Sequence, residues 1–203
     1  GVGKRIFYLT SKTTLKNAAA NSVNLLRKNG LRARMIILTA KEKCCLRKEA
    51  VRSCDSLLCE YSDGHFSRVN AALSHLLNNF ESFDESIIKM CAEEYKVCPY
   101  ELSLDVAEWC DIIICDYNYL FDQRVALRRF FGDDCRPDEN IFLIDEAHNL
   151  ADRAREMYSS ELRFVWFFRL FKQIAENDPL YVPLKSLCKA FLTLKRRSEA
   201  NFE

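Results

Sequence analysis

The sequence predicts an α/β fold: a parallel sheet flanked by helices and interrupted by a cysteine-rich, mostly helical insertion. Three observations predict it. Arg5 to Ala40 reads strand, helix, strand, and such a unit favours parallel pairing. Two further short apolar runs, Ile112–Cys115 and Ile141–Ile144, are bounded by charge, as buried parallel strands are. Between these strand signals, six of the chain's ten cysteines crowd into residues 44–98.

The elements follow in order. "RIFYLT", Arg5–Thr10, reads as a buried strand. "SKTTLKNAAANSVNLLRKNG" follows as a helix, with Ala18, Val23, Leu25 and Leu26 at roughly helical spacing and Gly30 as its stop. "RARMIILTA" supplies the second strand. The pattern then breaks at "KEKCCLRKEAVRSCDSLLCEYSDGHF", which is basic and has little apolar periodicity, as expected of a segment organised by a ligand. Helical character resumes in "SRVNAALSHLLNNF", with Val69, Leu73, Leu76, Leu77 and Phe80 on one side. A further short helix in "DESIIKMCAEEYKVCPYELS" runs into Cys98-Pro99. "CDIIICDYNYLFD" and "NIFLIDEAHNL" bring two more strands, and the chain after Asp152 reads as helical with a turn near "ENDPLYVP".

Bulk properties narrow the function. The chain has 203 residues, 49% apolar, with 5 Gly and 4 Pro, which argues against disorder and loop-rich all-β folds. A net charge of +1 gives no global basic footprint, so contact with nucleic acid must come from a local patch. No apolar run is long enough to span a membrane and no signal peptide is evident, so the expectation is a cytoplasmic protein with no membrane partner. Ten cysteines in such a compartment point to metal or redox chemistry rather than disulfides.

Asp145 and Glu146 end an apolar strand, where open α/β sheets bind their ligands. They could serve simply as a helix N-terminal cap. An acidic pair there also suits a metal-bound phosphate. The full string "IDEAHNLADRARE" is similar to the Walker B motif of superfamily 2 DEAH helicases. Together with "CDYNYLFD" and the four-cysteine insertion, it resembles the XPD-like and DinG-like iron–sulfur helicases, the bacterial DinG-like branch above all. The resemblance runs from "IFYLTSKTT" to "REMYSSEL".

That resemblance implies roles. Asp145 would hold Mg²⁺, Glu146 would polarise the water that attacks ATP, and His148 completes the catalytic set. Cys45, Cys54, Cys59 and Cys98, spaced C-x8-C-x4-C-x38-C, would ligate a [4Fe–4S] cluster. Soft thiolates select iron–sulfur or zinc; a structural zinc site usually shows tight C-x2–4-C pairs at both ends, which this spacing does not, and that favours the cluster. Cys44 competes with Cys45 for the first position; Cys91 could share the helix face of Cys98; Cys110 and Cys115 read as core; Cys135 and Cys188 have no neighbouring partner. "TSKTT", through Thr10, Ser11, Lys12 and Thr13, would contact the DNA backbone, and hydroxyls with helix N-terminal amides suit phosphate. Lys43, Arg47 and Lys48, within a basic run that includes Lys41 and Arg52, would add sequence-independent affinity for single-stranded DNA and duplex junctions. At least one of Tyr117 and Tyr119 is expected in the core at a strand end.

The implied organisation is a RecA-like helicase domain over residues 1–40 and 102–152, an iron–sulfur insertion over 41–101, and the start of a helical Arch domain over 153–203. The implied activity is ATP-dependent, 5′-to-3′ unwinding of DNA in repair or replication. "GVGK" is not a phosphate loop, because Arg5 follows Lys4 and no strand precedes it, so these residues alone are expected to be inactive. The rival is a non-enzymatic nucleic-acid-binding module with a structural zinc.

Overall fold

The computed structural model describes residues 4–47, 54, 59–122, 125, 127–131 and 139–200. The chain divides into two compact units, Gly1–Met157 and Tyr158–Glu203.

The first unit is built on a five-stranded, all-parallel sheet of order β3-β2-β4-β1-β5. Its strands are β1 (Arg5–Leu9), β2 (Met35–Ile37), β3 (Ser82–Phe83), β4 (Ile112–Cys115) and β5 (Asn140–Ile144). β4 is buried at all four positions, because β2 and β1 pair on its two sides and helices cover its faces. The main core gathers Phe7, Leu9, Ile36, Ile113 and Tyr117 with Leu76, Phe83 and Leu102 from the insertion side. The insertion segment therefore shares a core with the sheet.

β5 departs from expectation. Its apolar run predicts a buried central strand, yet Ile141 is 40%, Phe142 38% and Leu143 47% exposed. Among the described residues β5 pairs only with β1, so it is an edge strand and its outer side has no cover. Helix α1 (Thr13–Lys28) corrects a second reading: Ala20 and Val23 face the sheet, whereas Leu25 and Leu26 point outward at 62% and 55% exposure.

The insertion contains α2 (Lys41–Cys44), α3 (His65–Asn79), α4 (Glu85–Tyr95) and α5 (Pro99–Ala107). One short helix is expected to run into Cys98-Pro99; the structure has α4 before that point and a second helix, α5, beginning at Pro99. Lys96 closes α4 in a left-handed conformation (φ 52°), and Pro99 opens α5 at a position where its missing N–H costs nothing. Asp84 caps α4, its carboxylate accepting from the Ile87 N–H at 3.0 Å. Short helices α6 (Asn118–Phe121) and α7 (Arg128–Phe131) follow β4, and a 3-10 turn (Ala147–Asn149) leads from β5 into α8 (Leu150–Tyr158).

In the second unit α9 (Phe164–Gln173) packs on α10 (Tyr181–Ala200) through Phe164 and Phe167 against Phe191, and Phe171 against Tyr181. No helix among the described residues is long and apolar enough to cross a membrane.

Candidate functional site

Parallel pairing sets the acidic pair and the residues that follow β1 at one edge of the sheet. Leu9 lies in register with both Cys115 and Ile144. The residues that follow, Thr10, Asp116 and Asp145, therefore leave the carboxyl edge side by side. The Asp145 N–H donates to the Leu9 carbonyl at 3.0 Å, extending the ladder by one residue. The Asp145 carboxylate accepts from the Tyr8 hydroxyl at 3.0 Å, and its carbonyl accepts from the Tyr117 hydroxyl. Burial, with the carboxylate beside it, pushes the Tyr8 phenol up, so it remains a donor. Glu146 adopts φ 52° with ψ 43°, a sparsely populated conformation for a side-chain-bearing residue. Its carboxylate lies 3.3 Å from His148 Nε2, and His148 is largely exposed. Glu146 precedes the 3-10 turn but makes no side-chain capping bond. Neither Tyr8 nor the Glu146 backbone was legible in the sequence; Tyr8 gave no signal beyond strand alternation.

A cleft of roughly 720 Å³ opens along the same edge, lined by Ser11, Thr13, Lys16, Lys41, Lys43 and Tyr100 among others. It brings the start of α1 together with the first residues of the cysteine segment. Lys16 reaches across it to the Leu38 carbonyl at 3.2 Å; burial lowers its pKa, and Asp116 opposes that shift. Lys12 precedes α1 and is exposed, as is Thr13. Thr10 is fully buried, and its hydroxyl has no partner among the described residues, so in this arrangement it does not face the cleft surface. Lys43 and Arg47 are exposed, and Lys48 and Arg52 lie outside the described residues. Tyr117 and Tyr119 are both core residues, at 0% and 6% exposure.

The cysteines sort by environment. Cys44, Cys91, Cys110, Cys115 and Cys188 are buried, whereas Cys45, Cys54, Cys59 and Cys98 are partly or fully exposed. Burial pushes the Cys44, Cys110 and Cys115 thiols up to about 12 and Cys91 to about 11, which keeps them protonated. Cys91 also donates its S–H to the Ala72 carbonyl at 3.6 Å. Cys98 sits at the N-terminus of α5. Burial raises its thiol, while the Glu101 and Tyr100 amides pull the other way. Lys41 hydrogen-bonds the Cys54 sulfur and feels Cys98 and Glu101; these outweigh the burial that would lower it, and its pKa is raised. Among the described residues no group of three or more His, Cys, Asp or Glu is arranged to hold a metal ion. The donor chemistry still suits one: the four more open thiols are soft donors of the kind iron–sulfur and zinc take, and Lys41 lies beside Cys54 and Cys98. Cys135 lies outside the described residues.

The family model DEAD_2 matches residues 11–165. The chain belongs to the DEAD_2 family. This DEAD_2 chain is 30% identical over 153 residues to the regulator of telomere elongation helicase 1 of Bos taurus, covering 69% of the chain and 12% of the relative. It is 33% identical over 105 residues to the general transcription and DNA repair factor IIH helicase subunit XPD/RAD3 of Saccharomyces cerevisiae, covering 52% of the chain and 13% of the relative. With the Fanconi anemia group J protein homolog of Gallus gallus it shares 28% identity over 102 residues, 50% of the chain and 8% of that protein. The chain thus spans about an eighth of these relatives or less. Two solved structures share the fold. "Truncated XPD" gives a TM-score of 0.55 at 21% identity, over 92% of this chain and 52% of that one. "XPD_Helicase" gives 0.54 at 22% identity, over 93% and 32%. In sequence the DEAD_2 chain is thus similar to proteins named as XPD-type and telomere-elongation helicases, and the two solved structures agree with the parallel α/β architecture.

Proposed function

We propose that this DEAD_2 chain is the core of an ATP-dependent DNA helicase of the DinG-like branch, moving 5′ to 3′ on single-stranded DNA, with a [4Fe–4S] insertion beside the DNA path. One observation carries the reading: Asp145 and Glu146 leave the same sheet edge as Ser11–Thr13, next to a cleft bounded by the cysteine segment. Chemistry and nucleic-acid contact would thus share one rigid edge.

Phosphoryl transfer asks mainly for positioning and charge neutralisation. Asp145 offers hard carboxylate oxygen, the donor Mg²⁺ prefers, and Tyr8 and Tyr117 fix its direction from two strands' ends. Mg²⁺, when bound, neutralises phosphate charge. Glu146 is the base that orients and deprotonates the attacking water; its backbone turns the carboxylate away from the strand, and His148 steadies it. Ser11, Lys12 and Thr13 present hydroxyls, an ammonium and the first amides of α1 to a phosphodiester. Lys43, Arg47 and Lys48 add backbone neutralisation without sequence preference. Cys45, Cys54, Cys59 and Cys98 would hold the cluster, whose binding supplies folding energy to a segment short of apolar residues. Support for Cys45 over Cys44 is their difference in exposure.

The test is ATP hydrolysis by the full-length protein with and without single-stranded DNA, joined to metal analysis of anaerobic preparations. DNA-stimulated turnover, with iron and sulfide in equal amounts, supports the reading. Zinc in their place, without ATP turnover, would establish the binding-module alternative.

A further inference from the structure

A polar network beside two of the candidate ligands lies at the first turn of α3. His65 is 4% exposed. Its Nδ1 accepts the Cys98 backbone N–H at 3.3 Å, and its Nε2 lies 3.5 Å from Asp105 Oδ2. A ring nitrogen that accepts carries no proton, so the proton sits on Nε2 and faces the carboxylate. Arg129 Nη1 holds the other oxygen of Asp105 at 2.8 Å. The ring is thus fixed at both nitrogens.

Arg68 lies three residues further along the same turn. Its Nε and Nη2 donate to the Lys96 carbonyl at 3.0 and 2.6 Å, and Nη2 also reaches the carbonyls of Glu60, at 3.3 Å, and Asp63. A guanidinium so engaged with backbone is a brace rather than a free contact for DNA. The Cys59 carbonyl accepts the Ser62 and Asp63 amides at 2.9 and 2.8 Å, which closes the turn that Arg68 grips. Lys96 reinforces the junction from the other side, its ammonium 5.4 Å from the Tyr61 ring centre. Gly64 allows the close approach: it has φ +64°, and a Cβ there would lie 2.5 Å from an Arg68 guanidinium nitrogen.

One helical turn therefore grips both the turn that carries Cys59 and the bend that carries Cys98. We propose that His65 and Arg68 are positioning residues that fix these two thiols relative to each other before metal arrives. The proposal rests on the reading of these cysteines as metal ligands. Two preset ligands leave only Cys45 and Cys54 to be ordered on binding, which lowers the entropic cost of loading. A buried histidine that merely fills space would not need an acceptor aimed at the Cys98 amide.

The test uses the full-length protein purified without oxygen. Iron content, the visible absorption band, iron release to a ferrous chelator and the melting temperature are measured for wild type, His65→Leu, His65→Asn, Arg68→Met and Gly64→Ala. The Asn amide oxygen can replace Nδ1 as acceptor. Expected is near wild-type iron in His65→Asn, and release at least about tenfold faster in His65→Leu and Arg68→Met, the scale of losses seen when groups behind metal ligands are removed. Gly64→Ala, at an exposed site outside the core, should also release iron faster and keeps the test decisive if His65→Leu does not fold. Wild-type release rates in all of these variants would overturn the positioning role alone. Wild-type protein without iron would overturn both this role and the cluster reading.

Discussion

The carboxylate end and the cysteine end of the first unit are organised in opposite ways. Asp145 is held by two tyrosines and a strand ladder, so its direction is set by the fold alone. Cys45 follows a helix of only four residues, and its S–H reaches just the Arg47 carbonyl two residues away, at 3.6 Å. Cys59 and Cys98 fall between, braced by α3 through their backbones. On the proposed reading, the carboxylate that would meet a weakly held cation is oriented by the fold, whereas the thiols that would meet a tightly held metal leave part of their ordering to that metal. Binding energy substitutes for burial where apolar residues are few.

Four measurements can break or sharpen that contrast. The largest effect is expected at Glu146. In the full-length protein Glu146→Gln should still bind ATP and lose turnover by about 10²- to 10⁴-fold, the usual contribution of a general base. Turnover equal to wild type would remove Glu146 from that role. Residues 1–203 contain no G-x-x-x-x-G-K-[ST] stretch, and by themselves should show only background hydrolysis.

Next come the thiols. Cys45→Ser, Cys54→Ser, Cys59→Ser and Cys98→Ser should each bleach the anaerobic protein, while Cys44→Ser, Cys110→Ser and Cys115→Ser keep its colour. Loss in Cys44→Ser with retention in Cys45→Ser would shift the first ligand by one residue. A smaller effect belongs to the basic run. Reversing Lys43, Arg47 and Lys48 together should flatten the log–log salt dependence of single-strand binding by up to about 2, at about 0.7 per phosphate. An unchanged slope would make these charges a solvated face without a role in DNA binding. Smallest is Tyr8→Phe. Losing one hydrogen bond to Asp145, worth about 1 kcal/mol, should raise the Mg²⁺ concentration needed for half-maximal turnover about fivefold and leave the maximum rate near wild type. No change in Mg²⁺ demand would make Tyr8 a packing residue.

The buried thiols add a pH signature. Cys110 and Cys115 titrate near 12 in the fold, against about 9 for a free thiol. The raised folded value means that the native state keeps a proton the unfolded chain gives up. Stability from these two groups is complete below about 9 and is lost as pH rises from about 9 toward 12. Urea midpoints measured across that range should fall, and Cys110→Ala should flatten the fall.

Much of the sheet was legible because short apolar runs bounded by charge are unambiguous when both faces are covered, as at Ile112–Cys115. The same pattern misled at Ile141–Leu143, since a run reports apolarity and not what lies beside it. Leu25 and Leu26 misled in the same way: helical spacing defines a face, and tertiary contacts chose the neighbouring one through Ala20 and Val23. The break between α4 and α5 depends on Lys96 in a left-handed turn, a conformation its side chain does not advertise. The place of the acidic pair at the end of a strand could be read from the apolar run before it. The groups that aim that pair and the cysteines, Tyr8, His65 and Arg68, could not, because their roles exist only between segments distant in sequence.

The bare side of β5 has a practical corollary for anyone handling these 203 residues in isolation. An edge strand with the sequence Ile-Phe-Leu, paired among the described residues on one side only, is a template for a neighbouring molecule's backbone. Preparations should cloud with rising concentration and clear when a charge interrupts the run; Leu143→Lys offers the handle, because Leu143 is 47% exposed whereas Phe142 stacks on the core residue Phe7.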